Sequence, residues 1–537
     1  MIKKIIRNFP RLIRLTPADN RLPAIIRAIS VNELSVHSKN KMRIAVQGVE
    51  DPLFFGLFAL LLADLRRGQE IIGDLLQIRS ISGAVGVGVS AKQARSWLIA
   101  RLFNDQWARV NRNLIGPVAY RSQPIFWNLG RLKDRRYAQK LWGKMKMLGC
   151  PDQLYAQDIQ IGDLVIDSYL RFRPSPRFDV HDPFVFTIIQ QAVRDLTLAH
   201  KYFLTKKPDL YLSSYTTYIE HGIPVRVALK YKVPVRVYGN LIKFGKKISP
   251  ESKFHTADTS QYKKIFYAYS SREQRAALEL AEINLNHRLS GGIDVATSYM
   301  KNSAYASSSE PVPDVKGAVV IFLHDFYDSP HIYHDLVFID FWAWICFTIE
   351  ALSDAGIPFW IKPHPNQISL SEGVLVDLRQ RFPLAQFLSS SITNARLVQA
   401  GILCGVTVYG TVAHELAYLG VSVIASARHP HSSFDFCRTA KTIEEYKQML
   451  LSPDVLPATR AEMRQQSLAF YYMHNLSGTV EERELRAAYA ILWNVCNAGK
   501  GTPEDVAGAI ANLKGLPGWE MHLEEIRRDL KKLSELK

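Results

Sequence analysis

The feature that most constrains the fold of this chain is an alternation of short β-rich runs with longer helical stretches. It begins at Met42, where MRIAVQG precedes PLFFGLFALLLADLRRG, and it continues through PDLYLSSY, EHGIPVRVALKYK and VPVRVYG. Strands that alternate with helices of about 10 or more residues are typical of a parallel sheet covered by helices. The pattern therefore predicts an α/β fold of the doubly wound, Rossmann-like type.

The alternation stops between Ser298 and Gly317 and then restarts. The interrupting segment, SYMKNSAYASSSEPVPDVKG, is rich in Ser and Pro and weakly patterned, which is typical of a linker. After it, GAVVIFLHD, PFWIKPHP, GILCG and VSVIAS are predicted as strands with helices between them. A chain of 537 residues is also long enough for more than one domain. We therefore expect two Rossmann-like domains that face a cleft.

The composition divides the chain into five predicted segments. They are a basic amphipathic arm (1–35), an N-terminal Rossmann-like domain (36–297), a linker (298–316), a C-terminal Rossmann-like domain (317–456) and a helical tail (457–537). The arm interleaves Lys and Arg with Ile, Leu and Phe, so it is able to lie on an anionic membrane leaflet. The alternative is a helix that packs on its own domain.

The charge balance points to an anionic partner. The chain has 67 Lys and Arg against 50 Asp and Glu, a net charge of +17, which favours nucleic acid, an acidic lipid surface or a phosphorylated substrate. The five cysteines are widely spaced and form no CxxC pair, so neither a zinc ribbon nor a disulfide framework is predicted. The apolar run from Pro52 to Ala63 is shorter than the roughly 20 residues that a membrane span needs. We expect a cytoplasmic protein without a secretory signal.

The sharpest motif is Lys362-Pro363-His364-Pro365-Asn366, which directly follows an apolar strand. The two prolines keep the backbone extended, so Lys362 and His364 are presented at the strand end. An imidazole and an ammonium in that position suit the binding of a phosphate or a carboxylate. The alternative is a buried turn in which the histidine only satisfies a backbone carbonyl.

The second motif, GVTVYGTVAHE, combines a strand, a glycine-bounded loop and a helix start. Free amides at the helix N-terminus, together with the hydroxyls of Thr407 and Thr411 around Gly410, would form a phosphate site without a Walker lysine. Glu415 lies one turn after Thr411, so its carboxylate is predicted to reach a hydroxyl of the ligand. The alternative is that Thr411 only caps the helix and Glu415 lies on the surface.

The third motif, LHDFYDSPH, also follows a predicted strand. Its Asp325 and Asp328, with neighbouring histidines, have the residue types of a metal ligand, a general base or a carboxylate nucleophile. No zinc-binding spacing is present, so no metal site is predicted. Simple loop capping by the two aspartates fits the local sequence equally well.

In the N-terminal half, Glu220 follows the strand DLYLS and precedes a helix. It is a candidate for accepting a proton or holding a hydroxyl, and the alternative is an acid stabilised by the helix dipole. Ligands of doubly wound sheets lie beyond the carboxyl ends of the strands. We therefore expect the loops after FLHD, WIKPHP and ILCG to converge.

This combination resembles the two-Rossmann-domain (GT-B) glycosyltransferases of bacterial surface-polysaccharide assembly. The similarity rests on KPHP after a strand and on GT..HE.AYLG.SVIAS, within about residues 314–450. The arrangement of HDFYDSPH, FWAW and KPHPN is most similar to the retaining β-Kdo transferases of capsule and lipopolysaccharide biosynthesis.

The resemblance implies an N-terminal acceptor domain and a C-terminal nucleotide-sugar domain that transfers Kdo from CMP-Kdo to a lipid-linked surface glycan. Asp325 or Asp328 would be the nucleophile, and Glu220 or the other aspartate would activate the acceptor hydroxyl. The implied donor contacts are Lys362, His364, Asn366, Thr407, Gly410, Thr411 and Glu415. No metal or other cofactor would be required, and the enzyme would lie on the anionic inner face of the cytoplasmic membrane without binding nucleic acid.

Two groups of alternatives remain. The same fold could use CMP-sialic acid, CDP-glycerol or a UDP-sugar as the donor. A different class is a basic nucleic-acid-binding protein or a membrane-surface scaffold in which only the arm is active. Dispersed basic residues and the absence of any nucleic-acid-binding signature weigh against nucleic acid.

Overall fold

The computed structural model describes residues 25–26, 29, 42–48, 51–67, 69–77, 114–121, 132–173, 175–292, 310–333, 335–365, 370–428, 430–497 and 501–535. Most of the predicted arm (1–35) and of the predicted linker (298–316) lies outside these residues. The chain divides into two compact units. The first comprises 1–168, 180–255 and 480–537, and the second comprises 169–179 and 256–479.

The helices and strands follow one another in the predicted alternation. As far as Leu289 they are β1 (Met42–Gly48), α1 (Pro52–Leu65), β2 (Ile71–Gln77), β3 (Val118–Arg121), α2 (Leu132–Met147), β4 (Tyr155–Ala156), β5 (Ile159–Gln160), α3 (Gly162–Phe172), α4 (Pro183–Lys206), β6 (Leu210–Ser213), α5 (Tyr218–Lys230), β7 (Val235–Val237), β8 (Lys246–Ile248), α6 (Tyr262–Tyr267) and α7 (Ser271–Leu289). From Val319 onward they are β9 (Val319–Phe322), α8 (Phe341–Asp354), β10 (Phe359–Lys362), α9 (Leu370–Arg381), β11 (Gln386–Phe387), α10 (Asn394–Gln399), β12 (Cys404–Thr407), α11 (Val412–Tyr418), β13 (Ser422–Ala425), β14 (Arg438–Thr439), α12 (Ile443–Leu451), α13 (Arg460–Tyr471), α14 (Val480–Asn497), α15 (Pro503–Gly515) and α16 (Pro517–Glu535).

Each unit contains a six-stranded sheet with the same strand order. The first sheet runs β3-β2-β1-β6-β7-β8, and the second runs β11-β10-β9-β12-β13-β14. Numbered along the chain within each sheet, both orders are 3-2-1-4-5-6, which is the strand order of the Rossmann fold. All neighbours in the two sheets pair in parallel except β7 and β8. The prediction of two Rossmann-like α/β units is confirmed.

The central strands of the second sheet are buried along their whole length. Every residue of β9 (VVIF) and of β12 (CGVT) is buried, as expected for parallel strands covered on both faces. Helix α8 is capped by the preceding residue, Asp340, whose Oδ1 accepts a hydrogen bond of 2.7 Å from the backbone N–H of Ala343. The other oxygen accepts a bond of 2.8 Å from the N–H of Phe178. One capping aspartate therefore also fastens the segment 169–179 to the second unit.

The last three helices belong to the first unit, which differs from the predicted single tail (457–537). Helix α16 buries an apolar stripe at the spacing expected for one helix face, consisting of Trp519, Leu523, Ile526 and Leu530. The indole Nε1 of Trp519 donates a hydrogen bond of 2.9 Å to Asp64 Oδ2, and the buried guanidinium of Arg236 bonds Glu525 and Asp529. Only α13 and the turn after it remain with the second unit.

The predicted boundary at residue 297 also differs from the structure. Helices α6 and α7 lie in the second unit, because Ala281 and Leu285 of α7 pack in one cluster with Tyr418, Leu468 and Tyr471. An amphipathic pattern predicts that a helix buries one face, but it does not say which core receives that face. Within the described residues, no helix has both the length and the apolar content that a membrane span requires.

The contact between Trp519 and the first unit generates a stability prediction. We expect Trp519→Ala to lower the free energy of unfolding by about 3–5 kcal/mol, because it leaves a large cavity and removes the hydrogen bond to Asp64. Met521→Ala on the same helix is the control, since that side chain is 49% exposed. Urea unfolding followed by circular dichroism measures both. Equal, small losses in the two variants would show that α16 does not complete this core.

Candidate functional site

The predicted loops of the second unit meet at the carboxyl edge of its sheet. Strands β9 and β12 are neighbours at the point where the strand order reverses, which is where Rossmann-like sheets bind ligands. The imidazole of His324, after β9, lies 6.0 Å from that of His364, after β10, measured between ring centroids. The same His324 ring lies 4.7 Å from the ring of Tyr409, after β12. The three loops are therefore side by side, as the sequence predicts.

The two candidate aspartates differ in their surroundings. Asp325 is partly buried, and its Oδ1 accepts hydrogen bonds from the backbone N–H of Tyr327 (3.0 Å) and from the hydroxyl of Ser371 (3.1 Å). Its negative charge also acts on the imidazole of His364. Asp328 is exposed, and its Oδ1 accepts from the backbone N–H of the next residue, Ser329 (3.0 Å). Asp325 is thus the carboxylate that lies with the histidines.

His364 is a neutral imidazole at neutral pH. Its pKa is lowered to about 4, chiefly by burial and also by His324 and Lys362, while Asp325 opposes the shift. A neutral imidazole still donates one hydrogen bond, so it suits an anionic ligand that brings its own charge. Asn366, the last residue of the predicted motif, lies outside the described residues.

Lys362 is buried at the end of β10 with 4% of its surface exposed. Its Nζ donates a long hydrogen bond of 3.5 Å to the carbonyl of Ser390 and lies 5.9 Å from the ring centroid of Phe322. Burial lowers the pKa of this amine to about 8, and the negative charge of Glu415 opposes the shift. A charge in such a dry environment is poorly screened, so it would act strongly on an anion at the sheet edge.

The loop after β12 has a compact, glycine-dependent shape. The backbone N–H of Gly410 donates a hydrogen bond of 3.2 Å to Thr407 Oγ1, and a Cβ at residue 410 would lie only 2.8 Å from that oxygen. Thr411 makes no side-chain hydrogen bond that caps α11, so the capping alternative is not observed. Instead, its hydroxyl accepts a long bond of 3.4 Å from Arg288 Nη2.

Glu415 faces the interior, which differs from its predicted contact with a ligand. It is fully buried, with Oε1 accepting 2.9 Å from Arg288 Nη2 and Oε2 accepting 2.8 Å from Asn394 Nδ2. Its position four residues after Thr411 turns it toward α7 and α10, where these two partners lie. The sequence analysis missed Arg288 and Asn394, because they are 127 and 21 positions away and no local signal links them.

The carboxyl edge of the first sheet also carries a group of polar side chains. We call this group and the one at the carboxyl edge of the second sheet the two polar corners. The side-chain oxygen of Gln47, near the end of β1, accepts hydrogen bonds from the backbone N–H of Ser214 (2.9 Å) and the hydroxyl of Ser213 (3.0 Å). A backbone N–H only donates, so this atom must be the amide oxygen and the amide NH₂ must face His221 Nδ1, 2.6 Å away. His221 Nδ1 therefore carries no proton, and the ring proton is on Nε2.

This tautomer places the ring proton on Nε2, the nitrogen in contact with the predicted candidate Glu220 at a distance too long for a hydrogen bond. His221 Nε2 lies 3.8 Å from Glu220 Oε1, and burial lowers the pKa of the imidazole to about 4. With its free nitrogen occupied by Gln47, His221 cannot act as a base, whereas the carboxylate of Glu220 can. Sequence analysis missed Gln47, although a polar residue that ends an otherwise apolar strand was an available signal.

Within the part of the chain that the structure describes, no group of three or more His, Cys, Asp and Glu side chains is placed to hold a metal ion. The functional groups in the two corners are carboxylates, imidazoles, hydroxyls, amides and a buried amine.

Comparison with known proteins gives distant structural likenesses only. No protein-family model and no curated protein matches the chain. The UDP-GlcNAc 2-epimerase of Methanocaldococcus jannaschii, solved with UDP-GlcNAc and UDP, is 10% identical over 80% of this chain and 97% of its own, with a TM-score of 0.24. The spinosyn rhamnosyltransferase SpnG is 11% identical over 81% and 97% (TM-score 0.25), and the glycosyltransferase SnogD of Streptomyces nogalater is 10% identical over 80% and 95% (TM-score 0.21). Because these TM-scores are low, the fold assignment rests on the strand order.

The burial of Glu415 against Arg288 generates a second prediction. Glu415→Gln keeps the shape of the side chain but removes the negative charge that faces the buried guanidinium of Arg288, so we expect a loss of about 3–5 kcal/mol in the free energy of unfolding. Glu444→Gln, at an exposed position of α12, is the matched control. Urea titration compares the two variants, and a loss no greater than that of the control would exclude a stabilising role for this ion pair.

The tautomer of His221 generates a third prediction. We expect ¹⁵N NMR to show a neutral imidazole with its proton on Nε2 at pH 7, because burial lowers the pKa of His221 to about 4. Gln47→Glu replaces the NH₂ donor with a carboxylate, which favours a proton on Nδ1 and so raises the pKa of His221. Gln153→Glu, exposed in the same unit, should leave this pKa unchanged. A native His221 that is protonated on Nδ1 would contradict the assigned orientation of Gln47.

Proposed function

We propose that this chain is a GT-B-type glycosyltransferase that moves a sugar from a nucleotide donor to a glycan acceptor. The observation that carries the proposal is the grouping of a carboxylate (Asp325), an imidazole (His364) and a buried amine (Lys362) at the switch point of a Rossmann-like sheet. Such an edge is the usual ligand site of this fold, and these groups suit a phosphorylated sugar.

The proposed donor is CMP-Kdo, in which one phosphate and one sugar carboxylate enter the same site. A buried ammonium at Lys362 and an N–H donor at His364 would receive these two anionic groups without a metal ion. The hydroxyls of Thr407 and Thr411 are the proposed remaining phosphate contacts, whereas the N–H of Gly410 already donates to Thr407 Oγ1. Glu415 is not included, because both of its oxygens are already bonded inside the unit.

The proposed reaction retains the anomeric configuration in two steps. The carboxylate of Asp325 attacks the anomeric carbon, the bond to the phosphate oxygen breaks, and CMP leaves with the bonding electrons. The acceptor hydroxyl then attacks the same carbon, loses its proton to a base and releases the carboxylate. Glu220 and Asp328 are the two proposed groups for that proton, and Glu220 has the donor His221 beside it.

The proposed acceptor is a lipid-linked surface glycan at the inner face of the cytoplasmic membrane. This choice follows from the resemblance to the retaining β-Kdo transferases and from the net charge of +17, which favours an anionic membrane surface.

The experiment that tests the donor uses purified protein with a lipid-linked glycan and four donors in turn: CMP-Kdo, CMP-sialic acid, CDP-glycerol and UDP-GlcNAc. We expect release of the nucleotide and sugar transfer with CMP-Kdo alone. Consumption of another donor would keep the glycosyltransferase proposal and replace the donor. Consumption of none would remove the proposed function.

The different environments of the two aspartates generate a fourth prediction. Asp325→Asn should lower transfer by roughly 1,000-fold or more, because the nucleophile is lost. Asp328→Asn should leave the rate within a few-fold of the native value if the base is Glu220. Intact mass spectrometry of the protein with donor and no acceptor should detect a glycosyl adduct on the native protein and on Asp328→Asn but not on Asp325→Asn. The reverse pattern would assign the nucleophile to Asp328.

A further inference from the structure

Helix α2 presents a row of basic side chains to solvent. Its Lys133, Arg136, Lys140 and Lys144 are spaced by three, four and four residues, which places them on one face of an α-helix. All four are exposed. The row covers the twelve residues from Lys133 to Lys144, so it extends for about 16 Å along the surface at the rise of an α-helix.

The described part of the chain places no acidic partner on these four cations. Among the residues that the structure describes, none of the four makes an ion pair or a side-chain hydrogen bond to an acid. The acidic residue of α2, Asp134, lies one turn before Ala138 on the buried face of the helix, which Leu141 and Met145 continue. The outward face therefore carries positive charge with no acid on the same helix face to offset it.

Exposed apolar side chains lie at both ends of the row. Met147, one turn after Lys144, has 86% of its surface exposed, and Leu132 has 64% exposed. Helices that lie in a membrane interface combine Lys and Arg with apolar side chains that enter the boundary of the acyl chains. A nucleic acid would bind the four cations through its phosphate groups, but Met147 and Leu132 would add nothing to its binding energy.

The helix is also held rigidly on its unit. The indole Nε1 of Trp142 donates a hydrogen bond of 2.8 Å to the carbonyl of Val180, and its ring packs against Phe186 at 5.6 Å between centroids. The amine of Lys146 lies 3.4 Å from the centroid of the same indole ring. A basic row on a fixed helix needs no reordering when it meets a flat, charged surface.

We propose that the outward face of α2 docks on an anionic lipid bilayer. Lys133, Arg136, Lys140 and Lys144 contact lipid phosphates, and Met147 and Leu132 enter the interface. These residues lie outside the predicted arm (1–35) in the sequence, and their contact with lipid would bring the first unit to the membrane. The proposal stands independently of the sugar donor, so lipid binding and sugar transfer can fail separately.

The test measures sedimentation of the full chain with vesicles of phosphatidylcholine, with and without phosphatidylglycerol. We expect binding to the anionic vesicles only. The quadruple variant Lys133→Gln, Arg136→Gln, Lys140→Gln and Lys144→Gln should lower the affinity by about 100-fold or more, because four attractions to the surface are lost. The control quadruple variant Lys264→Gln, Arg272→Gln, Lys441→Gln and Lys447→Gln removes the same charge from exposed sites of the second unit and should bind like the native chain.

A second variant separates a bilayer from a nucleic acid. Leu132→Ser with Met147→Ser keeps every charge and should lower vesicle binding by about tenfold, because less apolar surface enters the interface. Binding of a duplex RNA, if any, should be unaffected by this change. The proposal is overturned if the first quadruple variant binds vesicles like its control, which would locate the contact elsewhere. It is also overturned if the native chain binds duplex RNA through the basic row and ignores anionic vesicles.

Discussion

The pairing of β9 with β10 on one side and β12 on the other is the constraint on which the second unit depends. Parallel strands end at the same edge, and neighbours lie about 4.8 Å apart, so the loops that follow these three strands begin side by side. The register pairs Lys362 with Phe322. A slip of one residue would turn Lys362 to the opposite face of the sheet and remove the amine from its position near Glu415.

The two polar corners use the same strand order for different chemistry. The second unit places a buried amine, Lys362, near the edge of its sheet, which suits a ligand that brings negative charge. The first unit builds its corner from a neutral amide, hydroxyls and a neutral imidazole around Glu220, which suits a ligand with hydroxyl groups. In both corners burial keeps the imidazole neutral, with the pKa of His364 and that of His221 each lowered to about 4.

The alternation of strands and helices was sufficient to predict both sheets and the three loops that meet at the second one. Local sequence could not predict which way Glu415 faces, because its partner Arg288 comes from a helix far earlier in the chain. It also could not choose between Asp325 and Asp328, which share a loop and differ in burial and in hydrogen-bond partners. Which unit α7 or α16 packs on depends on how well its apolar face fits a core formed by distant parts of the chain. The spacing of hydrophobic residues shows that a helix has an apolar face, but it does not show which core that face fits.

The discontinuous make-up of the first unit has a consequence for synthesis on the ribosome. Trp519 and Asp64, which bond each other, are 455 positions apart, whereas the second sheet comes from one unbroken stretch of chain. All strands of the second unit have been translated before α16 is translated. Helix α1, rich in Leu and Phe, emerges early and waits for its last packing partners. We therefore expect the nascent chain to expose an aggregation-prone apolar surface during most of its translation and to bind chaperones during that interval.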